Sequence, residues 1–537
     1  MRFNLNSKLL GAASALAFFA ATAALSDPVT LRTNNGDAEL TGEIISFDEV
    51  NYVIDTSGGQ FTIRADSVTC EGADCPIAAS ATSAASVARN AAQTDTVVIS
   101  GSDTVGDGLM PILLSGYAGF LNAEEQFMKP EGAIEGVSVF VGDEGFGDEL
   151  ASFLVRSSIS SDAFANLLGG SADIGMASRR IREEEASTLL KYGAGDMLDP
   201  TNEHIVAIDN LVVVTHPNNN VDTLTMENVR RIYNGQITNW SQVGGANAPI
   251  NVVSLGEGSG TRSVFEQRVF EGNVNGTPAS PVAASGNSEA ADIVAEDEHA
   301  IGYVSGAFIR GAQPVTLISD CNIPMRPDAF SARTEEYDLG RFLYLYSRGD
   351  NTNPDVRNFV DFATSSDADV VVAKTGFIDL GVSRQSQSQD SARAQALLNE
   401  GTNAAEQEAA REMLADMVEH DRLSTTFRFP TGSQNLTRRG VLNLARLTDY
   451  LEGQPDGTRI QLVGFADSVG PFSNNMTLAQ RRSSQIARAL QDFAGDRIDH
   501  IEIATNAYGE LAPASCNTTE NGRSINRRVE VWINTSR

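Results

Sequence analysis

Gly464-Phe465-Ala466-Asp467-Ser468-Val469-Gly470 closes an apolar run that begins at Arg459, and the residues after it decide how the last third of the chain folds. Asn475, Leu478 and Arg481-Arg482 come next, and Asn526-Arg527-Arg528-Val529-Glu530 opens the final apolar run. One carboxylate ends a strand and one guanidinium sits on the next helix. Such a pair can take the ammonium and the carboxylate of one small zwitterion together. Outward from this point the tail from Leu423 reads β-α-β-α-β-β. Strand Thr425–Phe429 precedes a helix over Leu436–Leu451, with Val441, Leu444, Leu447 and Leu451 at helical spacing. Strand Arg459–Phe465, helix Leu478–Phe493 and strands Ile501–Ile503 and Val529–Ile533 complete an α+β domain over 420–537.

Upstream, residues 95–382 alternate strand-like and helix-like runs. Thr96–Ser100, Gly136–Val141, Ala172–Met176, Leu211–Thr215 and Ile250–Ser254 are apolar strands of an α/β pattern, which predicts parallel sheets and, by its length, two lobes. Residues 27–76 predict a small all-β domain from Leu40–Phe47, Tyr52–Asp55 and Gln60–Arg64. An Ala/Ser/Thr-rich linker spans 77–94 and a helical connector spans 383–419. At the start, Arg2 and Lys8 precede an apolar run from Leu9 to Leu25 with small residues at Ala21, Ala23 and Ala24, which predicts a cleaved export signal over 1–26. An uncleaved membrane anchor is the competing reading. The fold class is therefore multidomain.

A net charge of −31 argues against nucleic acid as a partner. Residues 421–537 hold 14 Lys+Arg against 12 Asp+Glu, so the acidity lies in the body and the two modules differ in character. Cys70 and Cys75 enclose a four-residue loop, and an exported chain meets an oxidising compartment, so a disulfide is expected there. Cys321 and Cys516 fall in different domains; pairing with each other, free thiols and pairing between chains all stay open. The five histidines show no metal-ligand spacing, and no metal or cofactor is expected.

Two blocks are built for an oxyanion. Ser100-Gly101-Ser102-Asp103-Thr104-Val105 and Gly256-Glu257-Gly258-Ser259-Gly260-Thr261-Arg262 each run from a strand into a helix. Glycines admit backbone N–H groups, hydroxyls donate, and helix starts add partial positive charge. Neither block runs on into Gly-Lys-Ser/Thr, which excludes a nucleotide P-loop, and no Gly-x-Ser-x-Gly elbow supports a serine hydrolase.

The tail resembles the OmpA-like peptidoglycan-binding domain over about 420–537. Asp467, Asn475, Leu478, Arg482 and the block Gly522, Arg523, Asn526, Arg527, Arg528, Val529 match its motifs. The resemblance implies that Asp467 takes the ammonium and Arg482 the carboxylate of the diaminopimelate in a cell-wall stem peptide. Asn475 and Arg527 are implied as further contacts. Phe465 and Ala466 stand where His-Thr is common, and Ala479 where Ser is common, which removes possible supporting hydrogen bonds.

The region 95–382 resembles the periplasmic phosphate-binding protein of the bacterial high-affinity phosphate transporter. The matching text is Ser171–Arg179, Leu224–Trp240, Gly258–Arg262 and Ile301–Val304. The resemblance implies a two-lobed periplasmic-binding fold and ligand contacts at Thr104, Val105 (through its main chain), Ser178, Ser259, Gly260 and Thr261. Two departures matter. Leu255 stands where the family often has Arg, and Arg179 or Arg262 could supply a replacement cation. Gly142–Gly147 carries Asp143 and Glu144 where a hydroxyl is expected. These acids and Glu257 could accept the proton of monohydrogen phosphate and so reject sulfate, or repel the anion altogether.

Together the resemblances imply a periplasmic, peptidoglycan-associated protein that captures phosphate or a similar oxyanion without catalysing a reaction. An ABC transporter permease is the implied partner, beside local capture, storage or sensing. The alternative is an envelope interaction protein with a degenerate pocket, whose main activity is tethering.

Overall fold

The computed structural model describes residues 28–33, 39–47, 51–56, 59–64, 68–72, 75, 96–128, 136–145, 147–270, 280–388, 391–397, 403–430 and 436–534. The expected signal over 1–26 and linker over 77–94 lie outside them.

The N-terminal domain is one antiparallel sheet in the order Gly59–Arg64, Asn51–Thr56, Glu39–Phe47, Val29–Thr33, Val68–Glu71. Val29, Leu31, Tyr52, Ile54 and Val68 form its small core. Fewer apolar side chains than an independent core needs are supplemented by the Cys70–Cys75 disulfide.

The central region is built on an 11-stranded sheet that passes through two hydrophobic cores. Lobe one gathers Val97, Ile99, Phe140, Phe153, Ile174, Leu343 and Phe359. Lobe two gathers Leu211, Ile232, Trp240, Phe265, Ile301 and Tyr303. The sheet is mixed, not parallel as the alternating pattern predicts. Val97–Ser102 pairs in parallel with Ile174–Ala177 and Glu149–Ser158, and Asn251–Leu255 with Ala300–Ser305. However, Glu203–Thr215 and Gly340–Ser347 run antiparallel to each other between the lobes, because the chain crosses there once in each direction. Alternation of strand and helix records local order and is blind to such crossings.

The tail sheet has the order Arg384–Ser386, His420–Arg428, Arg528–Asn534, Arg459–Gly464, Glu502–Ala507. Helices Arg438–Glu452 and Phe472–Ala494 bury Leu444, Leu447, Leu451, Ile486 and Leu490 against it. The second helix presses so closely on the sheet that a Cβ at Gly464 would lie 2.2 Å from the Ala479 carbonyl oxygen. The stretch 383–419 corrects the reading of a connector. Arg384–Ser386 joins the sheet edge, and helix Ala404–Glu419 packs Met413 and Met417 in a cluster with Tyr508 and Trp532. Its helix-forming composition is right, but apolar residues among Ala and Glu serve a core, not a spacer.

The tail is stitched to the clamshell. Cys321 of lobe two is bonded to Cys516. Arg422 pairs with Glu336 at 2.5 Å, Ser515 Oγ donates to Asp338 at 3.1 Å, and Arg446 pairs with Asp369 on the side of lobe one.

Candidate functional site

The first oxyanion block begins at strand Val97–Ser102. Gly101 there has φ +134°, and a Cβ on it would strike the Met176 carbonyl, so no larger residue fits. Thr104, three residues on, is fully buried. The second block leads from strand Asn251–Leu255 into helix Gly260–Phe270, which brings Thr261 to the cleft from lobe two. A Cβ on Gly260 would lie 2.3 Å from Ser160 Oγ and 2.4 Å from Ser178 Oγ of lobe one. Gly260 is therefore what lets the lobes meet.

The two blocks converge. Thr104 Oγ1 and Thr261 Oγ1 are 3.4 Å apart, and the Asn287 side-chain amide donates to both, at 2.9 and 3.3 Å. Asn287 is aimed by its own acceptor, since its Oδ1 receives the Ser305 amide at 2.9 Å. Ser178 Oγ receives Ser102 Oγ at 3.0 Å and lies 3.2 Å from Ser160 Oγ. Arg341, on the crossing strand Gly340–Ser347, supplies the cation. Its Nη1 donates to Thr261 Oγ1 at 2.9 Å and to the Ser178 carbonyl at 3.2 Å, while Asp209 holds its other edge at 2.7 Å. The Arg341 and Asp209 side chains are each only 2 % exposed. Asp103 sits at the rim of the same cluster, within 3.4 Å of the Asn287 amides. Burial raises its carboxyl above the ordinary value, against the lowering pull of the Thr104 and Asn287 amides and of Arg341. A cleft of about 590 Å³ lined by Asp103, Asn287, Ser158 and Gly286 opens beside it.

Several expected contacts fall elsewhere. Arg179 is paired with Glu185 at 2.6 Å and lies over the Phe164 ring. The Arg262 guanidinium goes to Glu266 at 2.8 Å and to the Leu255 carbonyl at 3.2 Å. Neither guanidinium is bonded to the converging hydroxyls, because each has a nearer carboxylate. Ser259 Oγ accepts the Arg262 amide at 3.3 Å; the Val105 side chain packs in the core of lobe one, which leaves the contact expected of its main chain untouched. Leu255 packs in lobe two. The side chains of Asp143 and Glu144 lie outside the described residues. Asn287 and Arg341 escape a sequence reading because they come from a plain helix start and a mid-strand position, with no glycine-rich text around them.

In the tail, Asp467 lies just past strand Arg459–Gly464 and pairs with Arg527 at 2.9 Å; Arg527 also reaches Glu520 at 2.8 Å. Arg482 is completely buried in mid-helix with its guanidinium 5.1 Å over the Phe429 ring. Burial first, then Arg527, pulls its pKa down to about 10, against the opposing pull of Asp467. Asn475 donates to Glu510 at 3.1 Å. Arg528 is not a surface contact. It is buried over the Phe465 ring and bonded to Glu530, which Arg393 and Arg422 also hold.

Residues 86–367 match the model of the PBP superfamily domain. The chain belongs to the PBP superfamily. Its tail is an OmpA-family domain, matched over residues 428–527. Among relatives of this PBP-superfamily chain, the phosphate-binding protein PstS of Bacillus subtilis is 25% identical over 193 residues, which is 35% of this chain and 62% of that protein. The outer membrane porin F of Pseudomonas fluorescens is 34% identical over 91 residues, 17% of this chain and 27% of the porin. A phosphate-bound substrate-binding protein of a putative phosphate ABC transporter from Clostridium perfringens is 27% identical, with a TM-score of 0.42, covering 53% of this chain and 99% of that one.

Proposed function

We propose that this protein binds inorganic phosphate between its lobes and is held to peptidoglycan in the periplasm by its tail. The observation that carries the reading is the convergence of Thr104, Ser178, Thr261, Asn287 and Arg341 from both lobes. These groups donate from several directions, as a tetrahedral oxyanion requires, and the Arg341 cation stands in for the arginine that Leu255 replaces. Closure of the lobes would exchange hydroxyl–hydroxyl contacts for contacts to the anion. Asp103 is the acceptor for the proton of monohydrogen phosphate, which sulfate lacks. Binding of this kind needs donors and closure, not a nucleophile and base, so the protein acts by capture.

Calorimetry with phosphate, arsenate and sulfate tests the cleft. Phosphate and arsenate should bind and sulfate should not; no heat with any of the three would refute capture. The degenerate-pocket reading has one observation in its favour, the loss of the family arginine at Leu255, and would then prevail.

Wall attachment is tested separately by retention on purified sacculi. Asp467→Ala and Arg482→Ala should each release the protein, and undiminished retention of both variants would refute that site. Asp467 and Arg482 would hold the ammonium and carboxylate of diaminopimelate, with Arg527 orienting Asp467. Transfer to a membrane permease is one use of the captured anion, and local storage is the other that a wall-bound donor suits.

A further inference from the structure

A cavity of about 500 Å³ lies where the tail meets the clamshell; it shares Arg341 with the phosphate site and Arg527 with the diaminopimelate grip, and neither reading uses the Arg268 and Arg428 that also line it. Six arginines line it, and four of them are matched: Arg179 by Glu185, Arg180 by Glu203, Arg341 by Asp209, and Arg527 by Asp467 and Glu520. The other two, Arg268 of lobe two and Arg428 of the tail, lie in the field of Asp338, and Arg428 also in that of Glu335 and Glu336, but neither is hydrogen-bonded to a carboxylate among the described residues. Arg268 donates to the Asn521 side chain and Arg428 to the Thr334 carbonyl. Nε of Arg268 and both Nε and Nη1 of Arg428 are buried without a hydrogen-bond partner among the described residues. Buried guanidinium N–H groups left unmade cost free energy, and a carboxylate would satisfy them.

Two acids share the lining. Glu335 lies 4.0 Å from Arg439, and Asp338 accepts from Ser515 Oγ at 3.1 Å. Burial raises the Asp338 carboxyl above its ordinary value, against the lowering pull of Ser515, Arg268 and Arg428, and Asp338 makes no hydrogen bond to either guanidinium among the described residues. The cavity also adjoins the diaminopimelate grip. Arg527 lines it and pairs with Asp467, and Phe429 lines it and carries Arg482 on its ring.

We propose that this cavity is a second subsite for the wall peptide, in which Arg268 and Arg428 take the terminal carboxylate of the stem peptide that continues beyond the diaminopimelate. The proposal rests on the wall-anchor reading. It adds that the clamshell itself contributes a residue, Arg268, to peptidoglycan recognition, so the two domains form one peptide site.

The test is calorimetry on the full chain with two probes, free meso-diaminopimelic acid and the stem tetrapeptide that ends in D-alanine. The tetrapeptide should bind more tightly. Arg268→Gln and Arg428→Gln should each weaken it about tenfold, the loss of one charge-assisted contact, and leave diaminopimelic acid unchanged. Asp467→Ala should weaken both probes. Arg268 lies outside the tail, and unaltered phosphate binding by its variant would show an intact clamshell. Equal affinity of the two probes for the unmodified protein, or tetrapeptide binding unmoved by both arginine variants, would overturn the subsite while sparing the anchor. Binding of neither probe would overturn the anchor and the subsite together.

Discussion

The clamshell cleft surrounds one guanidinium with short neutral groups, whereas the centre of the tail sets several guanidiniums around one carboxylate. In the cleft, Arg341 is neutralised by Asp209, and what it offers a ligand is a donor geometry shared with Thr104, Thr261 and Asn287. In the tail, Arg393, Arg422 and Arg528 converge on the fully buried Glu530, and Glu336 of the clamshell closes the cluster. The first arrangement suits a guest that brings its own charge. The second sets three guanidiniums against two carboxylates, all supplied by the protein, and serves to fix one domain upon another.

The difference predicts where substitution does most damage. Glu530→Ala removes the carboxylate shared by Arg393, Arg422 and Arg528, leaves the buried Arg422 and Arg528 with Glu336 alone, and should cost about 3–5 kcal/mol, read as a loss of thermal or denaturant stability. A small change would mean that the cluster is wetter than it looks. The pH dependence has a definite sign. The arginines hold the Glu530 carboxyl well below the usual range in the folded state. Its contribution is therefore full above the ordinary carboxylate pKa and is lost as pH falls through the depressed value.

Next in size is the cross-domain bond. Cys321→Ser with Cys516→Ser should lower stability by about 2–4 kcal/mol, since the bridge closes a long loop in the unfolded chain. Unchanged unfolding would show that the ion pairs alone hold the tail in place.

In the cleft, Arg341→Met should reduce phosphate affinity by roughly ten- to a hundredfold, about 1.5–3 kcal/mol, measured by calorimetry. Full affinity in that variant would return the cationic role to Arg179 or Arg262. The smallest effect concerns Asp103. Its carboxyl is raised by burial, so it should gain a proton as pH falls, before ordinary aspartates do, and phosphate affinity should fall with it. Asp103→Asn should flatten that profile; an unaltered profile would remove Asp103 from the site.

Much of the molecule was legible in the chain. The strand Gly136–Val141 coincides with its reading, and the expected tail elements follow in order, except that a helix over Glu520–Asn526, absent from the β-α-β-α-β-β reading, comes before the last strand. Thr104 and Thr261 are brought together as the two blocks suggest, and Ser178, which the resemblance named, lies with them. The helix before the tail illustrates the limit. Ala404–Glu419 is evident as a helix, but Met413 and Met417 reveal a buried face only once Tyr508 and Trp532 lie against them. The partner of Asp467 shows the same limit, because nothing in the spacing ranks Arg527 above Arg482 as its ion pair.

Local order, turn chemistry and the two glycine-containing strand–helix junctions were determined by the sequence itself, because glycine tolerance and apolar periodicity act between near neighbours. The tertiary structure alone decided which arginine joins the converging hydroxyls, which cysteines join, and that the tail and clamshell share a cavity. Arg341 lies 80 residues from Thr261, and Cys321 lies 195 residues from Cys516. Contacts at such separations depend on where the whole chain returns, which no local pattern encodes.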